Sequence, residues 1–346
     1  MATPSYVPGL PAKGAALAGF QHVEIPGKER VQPLWTIPPP KRTVDPAEYL
    51  RRKSRAIRDG PGLHPGWLDA HTMEESLDLV VQHVWQEVGA TLVGTELRPV
   101  TGPERTSEQQ AATAGIAQEW DSGVGVRVRL RAAPDVRLRD RCRELVGRLR
   151  GLELDLLLDL YEVKSADEAV ARALRGWRDI GTLTGWRTVV LLGGSFPWGA
   201  KELKDHDLTE WPRVEWQTWQ AVRDRIEPPG PTITYGDYST VHPRSGDARP
   251  GGGTFYEKPR YTTAEHFLIG KGAEWGRDEA SLMKTLAARI VGDSEFRTSH
   301  SAGERWLQTQ ADPAVPEDPG SPSVWVEKGH VQHITFVAGQ LREPDR

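Results

Sequence analysis

The chain has 346 residues, a formal charge of −4 and a pI near 6.2. That is long enough for one large α/β barrel or two ordinary domains, and the acidic balance argues against a dedicated nucleic-acid binder while leaving room for a local basic patch. The single cysteine, Cys142, allows no internal disulfide, no apolar run approaches the roughly 20 residues of a membrane-spanning helix, and the N-terminus lacks a basic segment followed by an apolar core. These features predict a soluble, unprocessed, cytoplasmic protein without a membrane partner.

Tyr6 to Leu10 is a short apolar run ending in a turn, with Lys13 just beyond it, and reads as a first strand. Val31 to Ile37 reads as a second, closed by Pro38-Pro-Pro40; Asp45 then caps a helix carrying Tyr49, Leu50 and Ile57 inward and a row of basic residues outward. Gly66 to Asp69 is a third strand, and a capping box from Thr72 to Glu75 opens a helix with Leu77, Val80, Val84 and Val88 on one stripe. Thr91 to Val100 reads as a fourth strand, closed by Thr101-Gly102-Pro103. Val124 to Ala132 alternates regularly, with Arg127, Arg129 and Arg131 on one side and Val126, Val128 and Leu130 on the other. In a closed barrel both faces of such a strand are covered, so these arginines look into the mouth or pair with an acid.

Leu138, Cys142, Leu145 and Leu149 form the next helical stripe. Gly151 to Lys164 is a nearly continuous apolar run broken by Asp155 and Asp159, which suits a strand buried on both faces. The two aspartates are four residues apart and share one side of the pleat, with Asp159 toward the C-terminal end where parallel sheets handle ligands. A capping box at Ser165 to Glu168 follows. Arg187 to Leu192 is a seventh strand running into Gly193-Gly-Ser-Phe-Pro197, its helix lies around Glu215 to Ile226, and Thr232 to Asp237 is an eighth strand.

Eight strands at this spacing predict a TIM-like (β/α)8 barrel over residues 1–243, with a doubly wound open sheet as the alternative. Residues 244–346 are expected to supply a C-terminal cap packed on the barrel as one structural unit. It comprises a hairpin from Phe255–Tyr261 and Glu265–Ile269, an eighth helix around Leu282, Leu286 and Ile290, and a tail from Trp325 with His330 and His333. Pro243–Gly253 and Ala311–Ser323 read as loops.

Several short motifs resemble the phage beta-protein family, also called beta family protein. They are Tyr6-Val-Pro with Leu10 and Lys13, Pro33-Leu34, Arg98-Pro-Val-Thr-Gly102, the strand at Arg127 and the strand ending at Asp159. Gly194-Ser-Phe-Pro197, Tyr235-Gly-Asp-Tyr238, Arg260-Tyr261 and the stretch from Gly329 to Val337 complete them. The sequence departs from that family at Trp35-Thr36, where an acid is usual, and at Ala15, where a glutamate is usual, which puts any role of those acids in doubt here. The resemblance implies the barrel and its pocket and carries no reaction with it. The family name points to phage–host conflict or defence.

The chemistry-bearing residues gather at strand ends. Gly193 to Pro197 approaches a nucleophile elbow, but Pro197 stands where that motif needs glycine, so Ser195 is expected to present a hydroxyl to the pocket. His330 and His333 have no third partner for zinc, and His333 is expected to touch substrate. No Walker A loop, GxGxxG or kinase signature is present, and no cofactor is expected. Lys13, Asp69, Arg127, Arg129, Asp159, Ser195, Asp237 and Tyr238 are expected to converge on one face. Their arginines suit a small anionic ligand, their three aspartates a magnesium ion, and the whole set an internal ion-pair network. Two function classes follow. One is a hydrolase acting on a phosphate- or carboxylate-bearing substrate with Asp159 or Asp237 as general base; the other is a non-catalytic binding protein whose 13 tryptophans mark a protein contact surface. Arg260 is expected to lie over the pocket on a lid formed by residues 255–270.

Overall fold

Eight short, mostly apolar runs pair in parallel, and the pairing closes on itself. In the computed structural model they are β1 (Tyr6–Pro11), β2 (Leu34–Thr36), β3 (Gly66–Asp69), β4 (Leu97–Thr101), β5 (Val124–Arg129), β6 (Leu154–Glu162), β7 (Thr188–Gly194) and, after an intervening β8 (Leu208–Pro212), β9 (Ile233–Asp237). The structure describes residues 3–39, 44–60, 64–71, 94–226, 232–246, 258–272, 280–315 and 320–342, with Gly89 and Leu92. β1 pairs with β2 on one side, Gly9 facing Leu34, and with β9 on the other, Tyr6 facing Tyr235. That closure excludes the open sheet.

The helices α1 (Gly14–Gln21), α2 (Pro46–Asp59), α3 (Ser107–Trp120), α4 (Leu138–Arg148), α5 (Ala166–Ile180) and α6 (Val214–Arg223) follow their strands. Local chemistry starts them: Asp45 accepts the Glu48 N–H, Thr106 and Gln109 form a reciprocal capping box, and Ser165 accepts the Glu168 N–H. The expected strand from Thr91 begins only at Leu97, because Leu92 is still helical and Gly94, at φ 79°, ends that turn in the left-handed region. The capping box at Thr72 and the helix over Leu77 to Val88 lie outside the described residues.

Alternation along β6 sorts the interior. Leu156, Leu158 and Leu160 face outward into the layer shared with the helices, whereas Leu157 joins Val7, Leu34, Trp67, Val100, Val190 and Leu192 inside the barrel. Below this apolar plug, Asp155 accepts from the Trp67 indole (3.0 Å), Arg98 (3.2 Å) and Arg187 (2.9 and 2.6 Å). The plug separates that ionic layer from a second one at the mouth.

Beyond β9 the chain builds a second, antiparallel sheet. In its described part the expected hairpin forms as β10 (Arg260–Thr262) and β11 (His266–Gly270), the expected strand's start at 255–257 lying outside the described residues, and β8 joins its outer edge, an addition that the sequence pattern did not reveal. Helices α7 (Ala280–Val291) and α8 (Ala302–Ala311) pack with Tyr261, Leu268 and Trp325 in a core of their own. The helix expected to complete the barrel, around Leu282 to Ile290, therefore belongs to the cap. Its place beside α1 is taken by α9 (Pro322–Gln340), whose Ile334, Val337 and Ala338 enter the barrel–helix layer. The approach is close enough that a Cβ on Gly19 of α1 would stand 2.7 Å from the His330 Cβ. Among the described residues no helix is long and apolar enough to cross a membrane.

Candidate functional site

Inward residues at the C-terminal ends of β3, β5 and β6 meet at the barrel mouth. Arg127 stands between two aspartates: its Nη1 donates to Asp69 Oδ2 (2.9 Å), and its Nε and Nη2 donate to Asp159 Oδ2 (3.0 and 2.7 Å). Nη2 also donates to the Tyr238 hydroxyl (2.7 Å), which donates onward to Asp159 Oδ1 (2.8 Å). Arg105 Nη2 lies 3.1 Å from both oxygens of Asp69. Burial pushes both carboxyls up, but Arg105 and Arg127 around Asp69, and Arg127 and Arg129 beside Asp159, reverse this and hold each below its ordinary value.

Strand β6 is irregular just after Asp159. The β6–β7 register slips between Asp159 and Tyr161, Tyr161 adopts φ 60°, and its N–H donates to Asp159 Oδ1 (2.8 Å). A left-handed tyrosine costs on the order of 1–3 kcal/mol. Its consequence is a ring that carries the Arg129 guanidinium 4.0 Å above its centroid. Arg129 also lies 3.7 Å from Asp159 yet keeps nearly half of its side chain in solvent.

Outward from this network opens a cavity of about 670 Å³. Seven arginines line it: Arg105, Arg127, Arg129 and Arg131 from the strand ends and their loops, Arg141 from α4, and Arg172 and Arg175 from α5. Four acids, Asp69, Glu104, Asp135 and Asp179, face them. A smaller cleft of about 50 Å³ continues past Tyr161 and Tyr238 to Gly9 and Ser245. Lys13 sits at that rim, donating to the Ser245 carbonyl.

The expected convergence is thus met by Asp69, Arg127, Arg129, Asp159 and Tyr238. Asp237 is a correction. On β9 it shares the outward face with Tyr235, so its carboxylate lies behind the barrel wall and accepts from Tyr6 (2.6 Å), Tyr235 (2.9 Å) and the Ser239 N–H (2.8 Å). His333 from α9 places Nε2 2.8 Å from Asp237 Oδ2 and Nδ1 2.9 Å from Thr262 Oγ1, so it joins cap to barrel and does not face the mouth. Ser195 belongs to the same outer group, its Oγ 3.0 Å from the Pro212 carbonyl oxygen and hydrogen-bonded to Glu215.

Arg260 is likewise displaced from its expected place over the pocket, and residues 255–257 of the expected lid lie outside the described residues. It donates to the carbonyls of Thr240 (2.7 Å) and Lys258 (2.9 Å) and stacks on Phe196 at 5.3 Å, and burial lowers it to about 10. Sequence reasoning missed Glu215. Burial, only partly opposed by Arg213 at 3.7 Å and by the Ser195 hydrogen bond, pushes this carboxyl up to about 7. Among the described tryptophans Trp35, Trp67, Trp216, Trp219 and Trp325 are buried, most of the others are half-buried, and only Trp198 is exposed. With Asp237 outside the mouth, the three aspartates do not assemble around a magnesium ion, and no metal-binding group of three gathers among the described residues.

A closed parallel barrel with a three-stranded cap and an arginine-lined C-terminal mouth defines the class as a (β/α)8 barrel protein. The chain belongs to the Beta protein family, whose model matches residues 6–339. Among solved structures it is similar to type I 3-dehydroquinate dehydratase from Clostridium difficile, at 10% identity and a TM-score of 0.42 over 70% of this chain and 87% of that one. It is also similar to the Paramecium bursaria Chlorella virus arginine decarboxylase bound to agmatine, at 10% identity and a TM-score of 0.32 over 76% and 70%. No curated protein matches the sequence. The fold assignment rests on the strand pairing of this chain itself.

Proposed function

We propose that the mouth of this barrel binds a small anionic ligand, bearing phosphate or carboxylate, and that binding is its primary act. The observation that carries this reading is the cavity itself, with seven arginines against four acids in a chain whose overall charge is −4. Guanidinium groups bring planar arrays of donors to anion oxygens, and a concave basic site concentrates anions even on an acidic protein.

The geometry favours binding over hydrolysis. Asp159 and Asp69 are each held by two arginines and sit below their ordinary pKa, which makes them weak general bases. Asp237, the other candidate base, stands behind the wall. Neither of the expected aspartates is thus well placed as a hydrolytic base, and a role in phage–host conflict would act through ligand recognition at this mouth.

Calorimetric titration of the full chain with orthophosphate at low ionic strength tests the reading. Binding with a Kd of about 1 mM, or −4 kcal/mol, is expected. It should weaken with added salt and fall at least fivefold in R129Q. Orthophosphate that fails to bind the intact protein, or binds R129Q equally well, contradicts it.

A further inference from the structure

The arginines of the mouth are not equally engaged. Arg105 and Arg127 are matched by Asp69 and Asp159, and Arg141 by Asp135. Arg129 shares Asp159 with Arg127 only at 3.7 Å, and among the described residues no carboxylate forms an ion pair with Arg131, Arg172 or Arg175. Arg172 reaches the carbonyls of Leu130, Leu160 and Glu162 at 3.3–3.4 Å, and Arg175 those of Arg131 and Ala132 at 3.3 Å. These are long, weak contacts for charged donors. The Nε–H groups of Arg105, Arg141 and Arg172 are buried with no acceptor. Buried donors without partners are costly, so a cavity wall that retains them is short of acceptor oxygens.

The surplus is also divided in space. Arg129 and Arg131 come from the end of β5 and its loop, with Arg129 seated on Tyr161; Arg172 and Arg175 come from α5, one helical turn apart. A liquid water occupies roughly 30 Å³, so an orthophosphate of two or three water volumes would fill only a small part of the 670 Å³ cavity. A carboxylate offers two oxygens in one plane, whereas donors arriving from a strand end and a helix suit tetrahedral groups with oxygens in several directions.

We infer that the ligand carries at least two linked phosphate groups, one held at Arg129 and Arg131 and the next at Arg172 and Arg175. This deepens the anion-binding reading and rests on it. The strand-end pair supplies the inner subsite, where the neutralised Arg127 network forms the floor. The helical pair supplies the outer subsite and discriminates linked phosphates from a single one.

Calorimetry on the full chain with inorganic pyrophosphate, orthophosphate and malonate tests the inference. Pyrophosphate is expected to bind at least tenfold more tightly than either of the others, and the double variant R172Q/R175Q to bring it down to the orthophosphate affinity. Should that variant lose its thermal transition, the exposed R131Q serves instead, with an expected loss of at least threefold for pyrophosphate. Pyrophosphate and orthophosphate binding equally would overturn the two-phosphate inference and leave the anion-binding reading standing. Malonate matching pyrophosphate would overturn the choice of phosphate over carboxylate. No binding by any of the three would remove both readings.

Discussion

Two aspartates near the C-terminal ends of β6 and β9, strands of the same barrel separated by β7, meet opposite surroundings. Asp159 points into the mouth and is held by Arg127 and Arg129; Asp237 points outward and is held by Tyr6, Tyr235 and His333. Each accepts the N–H of the residue two places on, and in each case that residue has positive φ, Tyr161 at 60° and Ser239 at 52°. The local turn is therefore shared, and what differs is the side of the wall. On the mouth side the partners are cations beside an open cavity. Behind the wall they are phenols and an imidazole, with a second carboxyl, Glu215, and one fully buried cation, Arg213, close by and no open cavity beside them. The first arrangement leaves arginines available to a ligand, and the second fastens the cap.

Removing the charge at the centre of the mouth should have the largest effect. Arg127→Met would leave Asp69 and Asp159 buried without their shared cation, and breaking a buried pair in this way costs about 3–5 kcal/mol. Chemical denaturation at pH 7 should show that loss, partly recovered at low pH as the stranded carboxylates protonate. A variant as stable as the parent would show that the network is not held by its charges.

Glu215 sharpens the contrast from the other side of the wall. Its carboxyl moves from 4.5 to about 7 on folding. Below pH 4.5 both states keep the proton and there is no penalty. Between pH 4.5 and 7 the unfolded chain releases it while the folded chain retains it, so stability falls as pH rises, by about 3 kcal/mol in all. Glu215→Gln should flatten that slope and be the more stable form at pH 8, where unfolding of both proteins is compared. An unchanged slope would mean that Glu215 is ionised in the fold throughout.

Much of the barrel was legible because its units are locally complete. Capping residues at Asp45 and Ser165, the apolar run of β6 and the arginine alternation of β5 each announce an element, and together they placed Asp69, Arg127, Arg129 and Asp159. The phase of β9 was not legible. Both of its faces are buried, so the sequence Ile233-Thr-Tyr-Gly-Asp237 carries no polar and apolar alternation to tell inside from outside. β8 was hidden because its partner β11 lies far along the chain, Leu208 pairing with Gly270, and the ring-closing helix because chain order favours the first helix after the eighth strand. Arg105, Arg141, Arg172, Arg175 and Glu215 sit on loops and helices whose meeting with strand ends is a product of packing, which sequence spacing alone does not record.

The most direct test of this division between a binding side and a fastening side is to locate an anion in the molecule. Crystals of the full chain soaked in tungstate, a heavy tetrahedral stand-in for phosphate, should show an anomalous peak in the mouth within hydrogen-bonding reach of Arg129, Arg131, Arg172 or Arg175. No peak is expected at Asp237 and His333. A mouth that stays empty while tungstate occupies other arginines of the same crystal would contradict the account.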